Sequence, residues 1–152
     1  MTPTLIRASV VTERVGWVRQ MISQAHALPQ ASLDIFMEDS RNAAAAESYL
    51  RRSIEALLDI GRHILAKGFG IAVSEYKEIG AQLVKQGVLS SEDGLLMRRI
   101  AGYRNRMVHF YHEVTRKELY LLTTKHISDI DRICDAMVQW IREHPQMVDH
   151  EV

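Results

Sequence analysis

Residues 103–111 of the chain, YRNRMVHFY, bring together side-chain types that can act on a phosphodiester. The surrounding segment, residues 94–112, has two histidines and no acidic residue, although the chain as a whole has no net charge. Its four arginines are Arg98, Arg99, Arg104 and Arg106. A guanidinium group binds phosphate oxygens through paired hydrogen bonds, and an imidazole exchanges a proton near neutral pH. This combination can cut RNA without a metal, because histidine moves the proton at the 2′-hydroxyl or the leaving oxygen while arginine stabilises charge on phosphorus.

The spacing of these residues divides them between two sides of a helix. One side is an apolar core stripe of Leu96, Ile100, Tyr103, Met107 and Phe110. The other side carries Arg104, Asn105, Val108, His109 and His112, with Tyr111 at its flank. In a straight helix, Arg104 and His109 project about 140° apart and do not converge on one phosphate. Either the helix ends near His109, or a two-fold dimer supplies the missing group from a second subunit.

Less specific interpretations of the same residues stay open on spacing alone. A helix face rich in arginine is commonly a solvated surface, and a single histidine is commonly a surface or packing residue. For Arg106, a salt bridge or a free surface position competes with a role in binding RNA. His112 lies three residues after His109, but no nearby Asp, Glu or Cys completes a set of ligands, so we predict no metal site.

The composition indicates a single globular domain. Of the 152 residues, 47% are hydrophobic and 25% are charged, and at this length one core is the default. We assign residues 1–152 to one domain and expect a loose tail at residues 146–152. The single cysteine, Cys134, excludes an internal disulfide and fits a reducing cytoplasm. No signal peptide or membrane span is visible.

Apolar residues recur at helical spacing along nearly the whole chain, which predicts an all-α fold. A first helix ends at Pro29, and a second, long helix spans residues 33–67 and ends at Gly68. A short third helix, with Ser74 as its cap, spans residues 75–86.

Two capping-box sequences mark the remaining helices. The first begins at Ser90 and starts the fourth helix, which carries the motif. The second begins at Thr115 and starts a fifth helix that runs to Pro145. Short connections between amphipathic helices favour an up-and-down bundle of four to five helices.

Residues 104–111, RNRMVHFY, resemble the R-N-x-x-x-H-x-Y signature of HepT-like toxins in the HEPN superfamily. Residues 49–64, YLRRSIEALLDIGRHI, look like the long helix of that family, and the helices that follow keep its order. The resemblance covers about residues 48–141. An arginine and a histidine at this spacing occur by chance in many proteins, but together with Asn105, Tyr111 and the upstream helix they are specific to the family.

The resemblance implies an all-helical, homodimeric, metal-independent endoribonuclease toxin of a toxin–antitoxin pair, with transfer or messenger RNA as substrate and no cofactor. Arg104 and His109 match the family's catalytic residues, at a composite site between two subunits. Asn105 matches the polar residue that supports this site. Arg99 and Arg106 are candidates for contact with the RNA backbone.

The resemblance also implies a partner, a nucleotidyltransferase antitoxin of the MNT type. Tyr111 matches the tyrosine that such an antitoxin modifies with AMP, which places negative charge and bulk beside groups meant to hold RNA phosphate. This chain has no Gly-Ser dipeptide, with which the partner's nucleotide site begins, and is expected to be the modified protein. The alternative function is a non-catalytic helical module that binds nucleotide or protein through the same basic face.

Overall fold

The computed structural model describes residues 2–150 and shows an all-α bundle, as predicted. Its α-helices are α1 (Ala8–His26), α2 (Leu33–Met37), α3 (Ser40–His63), α4 (Tyr76–Lys85), α5 (Ser91–His109), α6 (Arg116–Leu121) and α7 (Ile127–Glu143). A π-helical turn, Ile64–Gly68, extends α3, and a second, Leu122–His126, joins α6 to α7. Within the described residues, no helix is both long enough and apolar enough to cross a bilayer.

The central helix of the bundle is α3, which contacts α1, α4, α5, α6 and α7. Its predicted apolar stripe is buried along its whole length and consists of Leu50, Ile54, Leu57, Gly61 and Ile64. Residues spaced by three or four positions share one face of a helix, so this stripe packs against several neighbours at once. Complete burial of a side chain such as Leu57 contributes roughly 1.5–3 kcal/mol. The charged residues of α3 therefore lie beside this stripe, outside the apolar core.

Two glycines allow the helices to approach closely. A Cβ atom on Gly61 of α3 would lie 2.7 Å from Cγ2 of Ile79 in α4 and 3.0 Å from Cε of Met97 in α5. A Cβ atom on Gly80 of α4 would lie 2.5 Å from the carbonyl oxygen of Gly94 in α5. A side chain at position 80 would collide with the backbone of α5, so glycine there sets the distance between α4 and α5, while one at position 61 would force the side chains of Ile79 and Met97 to move.

The predicted long helix over residues 33–67 is interrupted near its start. The helix α2 ends at Met37, Asp39 is extended with φ −127° and ψ 117°, and α3 begins at Ser40. Asp39 caps α3, since its Oδ1 accepts a hydrogen bond from the backbone N–H of Arg41 at 2.9 Å. The side chain of Arg41 also bonds this carboxylate and lowers the pKa of Asp39 to about 2. The prediction missed this local cap. The cap satisfies a backbone N–H in the first turn of α3, a group that has no partner at the start of a helix.

The predicted capping residues of α5 and α6 are confirmed. Ser90 accepts a hydrogen bond from the backbone N–H of Asp93, and Thr115 accepts one from that of Glu118, each at 3.1 Å. These bonds satisfy donors that the first turn of a helix leaves open. For α4 the prediction of Ser74 as the cap is wrong, because α4 begins one residue later, after an extended Glu75.

The end of the chain is folded over residues 146–149, where a loose tail was expected. A 3₁₀ turn, Pro145–Met147, leads into strand β2 (Val148–Asp149), which pairs in parallel with strand β1 (Ile6–Arg7). Val148 is buried opposite the fully buried Ile6, so apolar packing holds the two ends of the chain together. Residues 151–152 of the expected tail lie outside the described residues.

Candidate functional site

The helix that carries the motif ends at His109. Phe110 leaves helical geometry with φ −130° and ψ 39°, and Tyr111–Glu113 forms a 3₁₀ turn. Of the two alternatives raised by the spacing, the first is therefore realised within the single chain. The prediction that Phe110 packs in the core is wrong, because the change of backbone direction leaves its ring 50% exposed.

Arg104 and His109 line the same open cleft, which we call the Arg104 cleft and whose volume is about 530 Å³. Its lining residues are Arg62, Ser74, Glu75, Tyr76, Lys77, Arg104, Asn105, His109 and Phe110. They come from the end of α3, the start of α4 with the loop before it, and the end of α5. The structure thus brings Arg104, Asn105 and His109 together, whereas Tyr111 is not a lining residue.

The guanidinium of Arg104 is held from several directions. Its Nε donates a hydrogen bond to Oε1 of Glu55 at 3.3 Å, and its Nη1 donates one to Oδ1 of Asn105 at 3.2 Å. Its central carbon lies 4.7 Å from the centroid of the Tyr76 ring, a distance typical of a cation–π contact. Nη2 makes no hydrogen bond to any residue within 2–150. Arg104 is therefore fixed in place with one donor group open to the cleft.

The side chains of His109 and Tyr111 are exposed beyond this fixed arginine. The imidazole of His109 makes no hydrogen bond or ion pair within the described part of the chain, so its nitrogens are open to solvent. Tyr111 is 72% exposed, and its ring meets that of His112 edge-on, with centroids 5.8 Å apart. The two predicted residues therefore have the access that a reaction or a modification requires.

Acidic groups of α3 lie behind the cleft. Glu55 is shared between Arg104 and Arg51, whose Nη1 lies 3.8 Å from its Oε1. Burial raises the pKa of Asp59, and the positive charges of Arg14 and Arg62 oppose this effect. These carboxylates offset part of the positive charge around Arg104.

The two arginines predicted to contact RNA have different surroundings. Arg106 is bonded to Glu118 through both of its terminal nitrogens, with Nη2 to Oε2 at 3.0 Å, and this bonding raises the pKa of Arg106. Arg99 is exposed and lines a second cleft of about 380 Å³, which we call the Arg99 cleft. Its lining residues are Lys77, Leu95, Arg98, Arg99, Gly102, Tyr103 and Arg106, none of them acidic. Lys77 lines both clefts, which are therefore neighbours.

Six of the nine residues that line the Arg104 cleft were not predicted as site residues, and three of these carry a charged or aromatic side chain from a distant helix. Arg62 lies at the end of α3, and Tyr76 and Lys77 lie in the first turn of α4, far from the motif along the chain. No short-range pattern connects them to residues 103–111, since only the packing of three helices brings them there. Within residues 2–150, no three His, Cys, Asp or Glu side chains are grouped so as to hold a metal ion.

Solved structures share this fold. The tri-AMPylated HEPN toxin of Shewanella oneidensis, in complex with an MNT antitoxin, superposes with a TM-score of 0.76 at 17% identity, over 86% of this chain and 97% of that one. YutE, a cytosolic protein of unknown function from Bacillus subtilis, gives a TM-score of 0.78 at 18% identity, over 96% and 99%. A toxin–antitoxin structure with AMP-PNP gives 0.75 at 16%, over 84% and 97%. At these identities the similarity establishes the fold.

Sequence comparison identifies the family. No curated protein is significantly similar to the chain in sequence. The family model described as ribonuclease HepT-like matches residues 18–137, which is well over half of the chain and includes every residue of the motif. The chain therefore belongs to the HepT-like family of the HEPN fold.

Proposed function

We propose that this protein is a metal-independent endoribonuclease toxin in which Arg104 and His109 carry out the chemistry. The observation that supports this most directly is that Arg104 and His109, at the end of α5, line one open cleft. Family membership supports the same reaction class. The proposed substrate is single-stranded RNA in the cytoplasm, either transfer or messenger RNA.

The proposed roles follow from the contacts of each residue. Nη2 of Arg104, which is open to the cleft, binds a non-bridging oxygen of the scissile phosphate and stabilises the charge that develops there. The 2′-oxygen bonds to phosphorus as the bond to the 5′-oxygen breaks, and His109 takes the proton from the first oxygen or gives one to the second. Glu55 and Asn105 hold the arginine in position.

We infer that the active form is a homodimer. One chain supplies one histidine at this cleft, whereas a two-step proton transfer is served best by two groups. His109, Phe110 and Tyr111 are all exposed at the end of α5 and could face their equivalents across a two-fold axis. Such an arrangement would form a composite site from two clefts.

For the flanking RNA we propose the Arg99 cleft, which shares the lining residue Lys77 with the Arg104 cleft. Arg99, together with Arg98, would contact backbone phosphates directly, because neither arginine is bonded to an acid among the described residues. Arg106 is bonded to Glu118 and would contribute its charge over a longer distance.

We further propose that an MNT-type antitoxin silences the toxin by transferring AMP to Tyr111. The exposure of this side chain and its place two residues after His109 support the assignment, as does the AMPylated state of the HEPN toxin from Shewanella oneidensis. Co-expression with the antitoxin should add the mass of one or more AMP groups to the intact protein. No added mass, or an addition that persists in Tyr111→Phe, would refute the assignment.

The test of the reaction is an assay of purified protein on single-stranded RNA in the presence of EDTA. Cleavage should persist in the chelator and should be lost in both Arg104→Ala and His109→Ala, with unchanged helical content by circular dichroism. Full activity in both variants would overturn the proposal. Tight RNA or nucleotide binding without cleavage would instead support the alternative, a non-catalytic binding module.

A further inference from the structure

Arg62 has an unusual environment for a charged side chain. It lies in the last turn of α3 and lines the Arg104 cleft. Its Nε atom is buried and has no hydrogen-bond partner within the described residues. A buried polar group without a partner costs free energy, and the cost is greater when the group is charged. The two terminal nitrogens of Arg62 also make no hydrogen bond among the described residues, and they are not buried, so they are the donors that a ligand in the cleft can reach.

Tyr76 holds this arginine beside Arg104. The central guanidinium carbons of Arg62 and Arg104 lie 4.6 Å and 4.7 Å from the centroid of the same Tyr76 ring. The face of an aromatic ring attracts cations, so one side chain of α4 positions an arginine from α3 and an arginine from α5. Two positive charges are thus held by one aromatic ring at the wall of an open cleft.

The acids nearby do not neutralise both arginines. Glu55 bonds Arg104, but no carboxylate oxygen comes within ion-pair distance of Arg62 among residues 2–150. Asp59 interacts with Arg62 at longer range, and Glu75 lines the same cleft. An anion that entered the cleft would both pair with Arg62 and relieve its repulsion with Arg104.

We propose that Arg62 is a second phosphate-binding residue of the Arg104 cleft and that Tyr76 is the platform that positions it. The planar guanidinium of Arg62 would donate to non-bridging oxygens of an RNA phosphate, while Arg104 stabilises the scissile one. The identity of the ligand as RNA rests on the proposed function. The contact of both arginines with Tyr76 is independent of the proposed function, because it is observed in the structure.

The experiment measures binding separately from cleavage. Full-length protein with His109→Ala is titrated with a fluorescent single-stranded RNA at several KCl concentrations, alone and with Arg62→Gln added. Arg62→Gln should weaken binding about ten-fold, the value of one charge-assisted hydrogen bond. It should also reduce the slope of log affinity against log salt by about 0.7, as expected for one lost phosphate contact to a single strand.

The matched control is Arg52→Gln in the same background. Arg52 is an exposed arginine of the same helix that lines neither cleft, so its variant makes the same change in net charge. Its affinity for RNA should stay within two-fold of that of the parent, and its salt slope should be unchanged within error. If both variants lose the same RNA affinity, the effect reflects only the change in net charge, and the proposal is wrong.

A second pair of variants tests the platform. Tyr76→Leu should weaken RNA binding as Arg62→Gln does. Tyr76→Phe keeps the aromatic ring and should therefore retain most of the parent's affinity for RNA. Thermal melting of each variant separates a binding effect from unfolding. If Arg62→Gln or Tyr76→Leu folds and binds as tightly as the parent, the proposal is wrong.

The outcome also distinguishes this inference from the proposed function. If the wild-type protein does not cleave RNA but binds it through Arg62, only the catalytic proposal fails. If it cleaves RNA and Arg62→Gln leaves binding unchanged, only the present inference fails. If the parent binds no RNA, Arg62 does not serve RNA phosphate and both are refuted.

Discussion

The Arg104 cleft and the Arg99 cleft lie side by side, share Lys77 and are both basic, yet they are organised differently. In the Arg104 cleft, contacts with Glu55, Asn105 and Tyr76 fix the arginine. In the Arg99 cleft, Arg98 and Arg99 are exposed and make no internal ion pair among the described residues. Fixed donors stabilise a transition state, because they need no reorganisation when charge develops, whereas mobile surface charges contribute mainly to affinity. On the proposed function, we therefore assign catalysis to the Arg104 cleft, where Arg62 adds phosphate binding, and affinity for the flanking RNA to the Arg99 cleft.

The largest expected effect comes from removing the chemistry of the Arg104 cleft. Arg104→Ala and His109→Ala should each lower kcat for RNA cleavage by roughly 10²–10⁴-fold, the usual range for a general acid or base or for a donor to developing charge. RNA affinity should fall much less. Single-turnover kinetics at saturating RNA would measure the effect, and a loss confined to KM would contradict the proposed division between the clefts.

An intermediate effect should follow from loosening Arg104 without removing it. Glu55→Gln weakens the ion pair that orients the guanidinium, and we expect kcat to fall about ten-fold because positioning of this size contributes one or two kcal/mol. RNA affinity should stay the same or increase, since a negative charge is lost. Glu47→Gln is the matched control, because Glu47 lies on the same helix and bonds Arg51 at 3.0 Å. Equal loss of kcat in both variants would show that Glu55 has no specific role.

Changes in the Arg99 cleft should weaken RNA binding without affecting turnover. The double variant Arg98→Gln/Arg99→Gln should reduce the salt slope of RNA binding by about 1.4, or 0.7 for each phosphate contact, and leave kcat unchanged. Arg116→Gln/Lys117→Gln provides a control of equal charge on the exposed surface of α6. A drop in kcat at saturating RNA would mean that the second cleft takes part in the chemistry.

The smallest effect concerns stability and comes from His63, which lines neither cleft. Nε2 of His63 accepts a hydrogen bond from the backbone N–H of Arg7 at 3.0 Å. Burial lowers the pKa of His63 below its ordinary value of 6.5, and the positive charges of Lys67, Arg7 and Arg14 lower it further. Between the lowered pKa and 6.5 the unfolded state binds more protons, so stability decreases as the pH falls through this window.

The corresponding measurement is thermal melting between pH 7.5 and pH 5.5. Loss of about one hydrogen bond should lower Tm by roughly 2–4 °C in a protein of this size. His63→Gln, which cannot be protonated, should show a smaller fall over the same range. Identical pH dependence in wild type and variant would rule out His63 as the source.

Features that depend on neighbouring residues were predictable. Ser90 and Thr115 cap their helices as expected, and the stripe through Leu50 and Leu57 is buried. The break before α3 was also encoded locally, in the Asp39 cap, but the continuous helical periodicity obscured it. At this position two local signals compete, since a cap and an apolar stripe can occupy adjacent positions.

The sequence by itself determined the all-α class, most helix boundaries and the family, because periodicity, caps and the RNRMVHFY motif act within a few residues. Only the tertiary structure decided which side chains share a cleft. Arg62 and Tyr76 reach Arg104 because close packing around Gly61 joins α3, α4 and α5. Arg106, two residues from Arg104, is instead bonded to Glu118. Such contacts depend on the angle and distance between helices, and no spacing within one helix specifies these.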